Sequence, residues 1–392
     1  MSNLKKKGIV YVGLSGGVDS SVSAALLKQA GFDVRGVFIK VWQPDFWGGC
    51  TMKEDRFDAM RVCAKLDIPF FTLDLEKEYK KEVVDYMIAE YKAGRTPNPD
   101  VMCNKYVKFG GFFDWAMKNG ADYVATGHYA RILSIPEDKI KSSSDTDIFL
   151  LKNSSCSRRP RSQAPHKTLS CLLAGADKNK DQSYFLWTLT QKQISKTLFP
   201  VGNMEKPEVR KLAKKFGLET AVKKDSQGLC FIGKVEMAEF LKYFIKTKVG
   251  NVLNTKGEIV GKHNGAELYT IGQRHGFTLI KNSPNDNKSF IIEKNIINNT
   301  ITISSDFKQK ININEKQIII SDVNWIAGQT PDLTKNYQAR IRYRGELGKC
   351  KLKKISDNKY QVIFNKEKKF STPGQSMVIY DGEICLGGGI IN

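Results

Sequence analysis

No Cys-x-x-Cys pair occurs anywhere in the chain, although it has eight cysteines, at positions 50, 63, 103, 156, 171, 230, 350 and 385. Their scatter disfavours a zinc ribbon, a thioredoxin-type redox site and a cysteine-held iron–sulfur cluster. Without a disulfide framework the expected compartment is reducing, namely the cytoplasm, where thiols persist unless they do chemistry. Histidine is scarce too, and His166, His263 and His275 lack metal-ligand spacing. No apolar run approaches the roughly 20 residues that cross a bilayer, so no membrane association is expected. The first strand is entered by about Gly8, which leaves no room for a signal or transit peptide. The phosphate loop GxxxxGK(S/T) is missing as well. The last deficit is acidic charge. Against 62 Lys+Arg stand only 41 Asp+Glu, and the formal net charge of +21 calls for an anionic partner such as nucleic acid.

What is present is length for two or three cores. GIVYVGL, FDVRGVFIKVW, IPFFTLDL and ADYVATGH read as strands, and helical patterns ending at Gly31 and Gly94 lie between them. Strands alternating with helices predict an α/β fold, a parallel sheet with ligands bound beyond the carboxyl ends of its strands. From about 142 to 170 the pattern dissolves into a Ser-rich surface insert, basic in its second half and read as solvated. After about 195 a helix, KPEVRKLAKKFG, mixes with irregular Gly-rich segments. The last hundred residues are short strands at close spacing, which predict an antiparallel barrel or sandwich. The domains are therefore expected at 1–195, 196–284 and 285–392.

Ser15-Gly16-Gly17-Val18-Asp19-Ser20 lies directly after a strand and before a helix. Its glycines let backbone amides approach an anion, and the helix behind adds its positive end. Ser15 and Ser20 supply hydroxyls, and Asp19 suits Mg²⁺ riding on a polyphosphate. Asn98-Pro99-Asp100-Val101-Met102-Cys103 opens a further helix, with Asp100 read as its N-cap. Cys103 then falls in the first turn, where the helix dipole and Lys105 favour thiolate. A second cysteine, Cys230, sits in KDSQGLCFIG between glycines that allow a looped backbone. Taken alone it reads as core.

The hexapeptide resembles the pyrophosphate loop of the ATP-pyrophosphatase superfamily, whose members cleave ATP between the α and β phosphates. GLSGGVDSSVSA, AGRTPNPDVMCNKYVKF, ATGHYAR, NKDQSYFLWTL, KKDSQGLCFIG, YTIGQRHG and TPGQSMVIYDGEICLGGGII together resemble the tRNA-specific 2-thiouridylase family nearly end to end. The resemblance implies an ATP-pyrophosphatase domain, a small central mixed domain and a C-terminal antiparallel β-barrel. It implies adenylation of the C2 oxygen of a wobble uridine, then replacement of AMP by sulfur.

By position it assigns ATP to Gly13, Leu14, Ser15, Gly16, Gly17, Val18, Asp19, Ser20, Ile39 and Gly127. It gives the target base Asn98, Pro99 and Asp100, the nucleophile Cys103 and the persulfide Cys230. Lys180, Asp181, Gln182, His128, Arg342, Tyr343 and Gln375 match positions that touch tRNA. Two such thiols must meet in space, because releasing sulfur from a persulfide needs a second thiolate to take up the disulfide. ATP with Mg²⁺, a sulfur-donor protein or cysteine desulfurase, and a monomer are expected. The other six cysteines are read as structural. Another synthetase or RNA thiolase of the superfamily is the alternative. The insert departs from the family pattern and leaves local tRNA contacts open.

Overall fold

A computed structural model describes residues 7–44, 52–136, 168–225, 230, 236–280, 289–305, 315–368 and 371–392. Most of the Ser-rich insert, together with Cys50, Cys156 and His166, lies outside the described residues. Strands β1 (Ile9–Gly13), β2 (Asp33–Lys40), β3 (Phe70–Asp74) and β4 (Tyr123–Ala125) form a parallel sheet in the order β3-β2-β1-β4. Val10, Val12 and Val124 are fully buried because helices cover both faces, as a parallel sheet requires. Helices α1 (Val18–Gln29) and α2 (Met52–Lys65) follow β1 and β2. Further along, the helical segments Pro99–Met102, Cys103–Phe112 and Phe113–Lys118 run on without a break, the middle one with wider π hydrogen bonding.

The expected break after residue 195 does not coincide with a break in packing. Strand Thr197–Leu198 extends the parallel sheet beside β4, and Val209 and Ala213 of helix Lys206–Lys215 pack on Val18 and Val22 of α1. A second sheet follows, holding Thr278–Leu279, Ile259–His263, Gly250–Leu253, Thr300–Ser304 and Phe290–Asn295 in that order. The strand pattern placed Phe290–Asn295 and Thr300–Ser304 in the C-terminal barrel, but they pair here instead. Alternating burial marks which face of a strand is covered and says nothing about its partner.

The barrel is built from six strands, Glu315–Trp325, Lys359–Lys368, Gly348–Ser356, Tyr337–Arg340, Ser376–Asp381 and Ile384–Ile391. Pairing of the first with the last closes it. The hairpin Ala130–Pro136 with Thr168–Ala174 adds onto its edge through Ile384 opposite Leu173. The strands flanking the insert thus tie the parallel-sheet domain to the barrel. No helix among the described residues is long and apolar enough to cross a membrane.

Candidate active site

The turn after β1 is shaped by close approach. Gly16 has φ +71°, and a Cβ there would lie 2.4 Å from the Asp55 carbonyl oxygen. Leu14 and Val18 are buried, so they anchor the loop and offer a ligand only backbone. The Ser15 amide donates to Ser20 Oγ at 3.2 Å, and Ser20 Oγ donates in turn to the Gly17 carbonyl at 3.2 Å. Gly17 caps α1 without any side-chain hydrogen bond. The leading end of α1 is therefore left for an external acceptor, the arrangement that binds phosphate. Gly127, just past β4, packs so tightly on this turn that a Cβ would fall 2.6 Å from the Ser20 nitrogen. Ile39 is buried near the carboxyl end of β2.

Asp19 is already engaged. Lys206 Nζ lies 2.8 Å from each of its carboxylate oxygens, and the Tyr129 hydroxyl donates to Oδ1 at 2.7 Å. Lys206 also reaches Asp225 at 3.0 Å, and Asp225 accepts from Lys180 and Arg210 at 2.6 Å each. Among the described residues no cluster of three His, Cys, Asp or Glu side chains could hold a metal. The donors around Asp19 are an ammonium and a hydroxyl, so this arrangement does not fit the expected Mg²⁺ ligand.

Asp100 is not the cap of the Cys103 helix. Asn98 takes that position, its Oδ1 accepting from Val101 N at 3.3 Å, because Pro99 favours the first helical position and puts the cap two residues earlier. Asp100 is freed to accept from the backbone N–H of Cys230 at 3.1 Å, while the Tyr79 hydroxyl donates to the Cys230 carbonyl at 2.8 Å. These two bonds bring the thiols together. Cys103 and Cys230 are hydrogen-bond partners, both free, with Cys103 fully buried. The hydrogen bond from Cys103, aided by Lys108, brings the Cys230 thiol down to about 7. Burial and the Cys230 charge push Cys103 well up. The pair therefore holds its proton on Cys103 and its negative charge on Cys230. Burial drives Cys63 up to about 12 and Cys171 up to about 11, which leaves both inert.

The cation beside the thiols is Lys108 and not Lys105. Lys105 is exposed and lies over the Tyr106 ring, whereas Lys108 is half-buried and hydrogen-bonds Cys230. In an α-helix residues five apart point about 140° away from each other. The i→i+5 bonding of Cys103–Phe112 stacks residue 108 over residue 103. Lys108 Nζ is also 3.5 Å from His128 Nε2, and His128 Nδ1 is 2.7 Å from Thr126 Oγ1. Burial and then the Lys108 charge hold His128 well below the usual histidine range, so it is neutral.

The expected tRNA residues divide. Arg342 is exposed, and Tyr343 packs at 4.4 Å on Phe185. Lys180 Nζ bonds Asp225, and Gln182 Oε1 accepts from Tyr129 N at 3.0 Å. His128 and Asp181 are both buried. Asp181 accepts from the amides of Gly175 and Ser183 at 3.0 Å and from Arg340 at 3.3 Å. Gln375, on the barrel, donates to the Thr96 and Pro97 carbonyls at 2.9 and 3.0 Å and so fixes the turn before Asn98. Sequence reasoning missed Lys108, Tyr79, Tyr129 and Lys206, each of which meets its partner only through tertiary folding.

Residues 8–234 match the family described as tRNA methyl transferase HUP domain, 238–305 the tRNA methyl transferase PRC-barrel domain, and 315–391 the aminomethyltransferase beta-barrel domain. The chain is similar to the tRNA-specific 2-thiouridylase MnmA of Streptococcus thermophilus (strain CNRZ 1066), at 42% identity over 98% of this chain and 95% of that one. The protein of that name from Geobacillus thermodenitrificans is 41% identical over 98% and 94% of the two chains. Its counterpart in Bacillus cytotoxicus is 39% identical over 100% and 96%.

Proposed function

Because the chain belongs to the tRNA-specific 2-thiouridylase family, we propose that it is an ATP-dependent tRNA-uridine 2-sulfurtransferase working through Cys103 and Cys230. The observation that carries this reading is the hydrogen-bonded pair of thiols, held by Asp100 and Tyr79. It is linked to the pyrophosphate loop through the adjacent residues Gly127 and His128.

The chemistry runs in three steps. The uridine C2 oxygen attacks the α-phosphate of ATP, and pyrophosphate leaves past the open end of α1. This converts a poor leaving group into AMP. The outer sulfur of a Cys230 persulfide then attacks C2, and AMP departs with the oxygen. Finally Cys103 attacks Cys230 Sγ, the S–S bond breaks, and sulfur stays on the base. A Cys103–Cys230 disulfide remains for an external thiol to reduce. The target base leaves its stack to reach Asn98, Pro99 and Asp100, at a cost met by binding elsewhere.

Arg342 and Tyr343 on the barrel suit the RNA backbone and a stacked base. Mg²⁺ enters this reading only as a companion of the nucleotide's phosphates, and no step is routed through a protein-held ion. The sulfur comes from a persulfide-carrying donor protein or cysteine desulfurase, the setting is cytoplasmic, and the enzyme acts as a monomer.

The test is to incubate the protein with unmodified tRNA, ATP, Mg²⁺ and a persulfide donor, then to look for mercury-retarded tRNA on a gel. A retarded band that vanishes without ATP supports the reading. The family description names methyl transfer, and methylated tRNA is not retarded by mercury. Absence of the band with tRNA-independent ATP cleavage would favour a metabolic synthetase.

A further inference from the structure

Resting on the persulfide reading above, we propose that Lys108 is a catalytic residue, the counter-ion of the one negative charge that the Cys103–Cys230 pair holds at any moment. Its ammonium hydrogen-bonds Cys230 and faces Cys103 and Asp100. His128 steers it, because a neutral imidazole with Nδ1–H donating to Thr126 Oγ1 leaves Nε2 free to accept from Lys108. The ring itself is wedged between Phe109 and Phe199, at centroid distances of 6.0 and 5.9 Å. Burial alone would weaken the hold of Lys108 on its proton, but the facing thiols outweigh it and hold the proton more firmly than usual.

A second anion would be uncompensated here. Tyr79 faces the pair through its hydroxyl, and Asp100 already supplies one carboxylate. A single cation in a poorly solvated site stabilises one sulfur anion well and two badly.

The charge therefore moves with the chemistry. Cys230 starts as the thiolate and attacks the outer sulfur of the donor persulfide. The donor departs as its thiolate, and the new Cys230 persulfide loses its proton to solvent. Its outer sulfur attacks C2, the C2–O bond breaks, and AMP carries that electron pair away. Cys230 is now a neutral disulfide to the base, so Lys108 has lost its anion. Only then does Cys103 become the favoured site of charge and release its proton. The Cys103 thiolate attacks Cys230 Sγ, and the base leaves as a thiolate that takes up a proton at N3. Cys103 is thus kept from attacking the persulfide before the sulfur has reached the base.

The experiment is the pH dependence of Cys230 alkylation by iodoacetamide, read by mass spectrometry on reduced protein without tRNA, ATP or sulfur. The wild-type midpoint is expected near 7. Lys108→Met should raise it by about one unit or more, and Lys108→Arg should restore most of the shift. Single-turnover thiolation from preloaded persulfide should fall by about 10²-fold in Lys108→Met, with AMP transfer spared. A wild-type midpoint near that of a free thiol overturns the proposal even if the variant fails to fold. Coincident profiles for wild type and Lys108→Met overturn it as well. Neither result touches the persulfide relay, which falls only if a single-cysteine variant thiolates fully.

Discussion

Lys206 holds both carboxylate oxygens of Asp19 at 2.8 Å, and so locks a helix far along the chain onto the SGGVDS turn. Its side chain is only 11% exposed, so the ammonium has few other partners to choose from. In the proposed mechanism a cation beside this turn would neutralise charge as pyrophosphate separates, with Asp19 keeping it aimed. Lys206→Met and Asp19→Asn are each expected to slow tRNA-dependent pyrophosphate release by about 10²-fold. In the double variant the losses should not add, because the two act as one unit. Loss in Asp19→Asn alone, with Lys206→Met near wild type, would return the carboxylate to the role of a metal ligand.

The proposed relay gives the two thiols separable duties. Cys103→Ala and Cys230→Ala are each expected to abolish thiolation, yet both should retain at least part of AMP transfer to tRNA. Radiolabelled ATP follows the first step and the mercury gel follows the second. Full thiolation by either variant would end the relay as written here.

Asp225 gives a test that needs no substrate. Burial would raise its carboxyl, but hydrogen bonds from Lys180 and Lys206 outweigh that and bring it down to about 2 from 3.8. A carboxylate whose folded value is depressed stabilises the fold fully above its unfolded value and loses that contribution as pH falls through the folded one. Thermal melting of wild type and Asp225→Asn should therefore differ most near neutral pH. The gap should close as the pH falls from about 4 towards 2. A constant gap would mean that the ion pairs around Asp225 contribute nothing measurable.

Some of this site was legible in the sequence and some was not. The SGGVDS turn declared itself because glycines, hydroxyls and a helix start sit within six residues, all local features. The meeting of Cys103 and Cys230 was expected only because the family resemblance implies their roles, and releasing sulfur from a persulfide needs a second thiolate. Lys108 stayed hidden because α-helical spacing points it away from Cys103, and only the π-helical stretch turns it back. Asp100 has a side chain that commonly caps helices, but Pro99 favours the first helical position and gives the cap to Asn98. Phe290–Asn295 and Thr300–Ser304 were recognisable as strands, but register with Gly250–Leu253 is a non-local fact. His128 matches a position expected to touch tRNA, and the fold buries it between Phe109 and Phe199, which its sequence neighbours do not show.

Gly127 should be a sensitive position although it has no side chain to take part in the chemistry. A Cβ there would lie 2.6 Å from the Ser20 nitrogen and 2.8 Å from the Asp19 carbonyl carbon, both backbone atoms that cannot swing aside. Gly127→Ala must therefore push the start of α1 away from β4, opening the turn proposed to receive pyrophosphate. The same shift displaces His128, the next residue, and with it the partner of Lys108. Two effects are expected together: ATP-dependent AMP transfer falling by at least about 10²-fold, and a higher midpoint for Cys230 alkylation. Thermal melting should drop only modestly, since the parallel sheet itself is not overpacked. A variant with normal AMP transfer would mean that the turn can move without cost. The link from the nucleotide loop through Gly127 and His128 to the thiols would then be proximity without coupling.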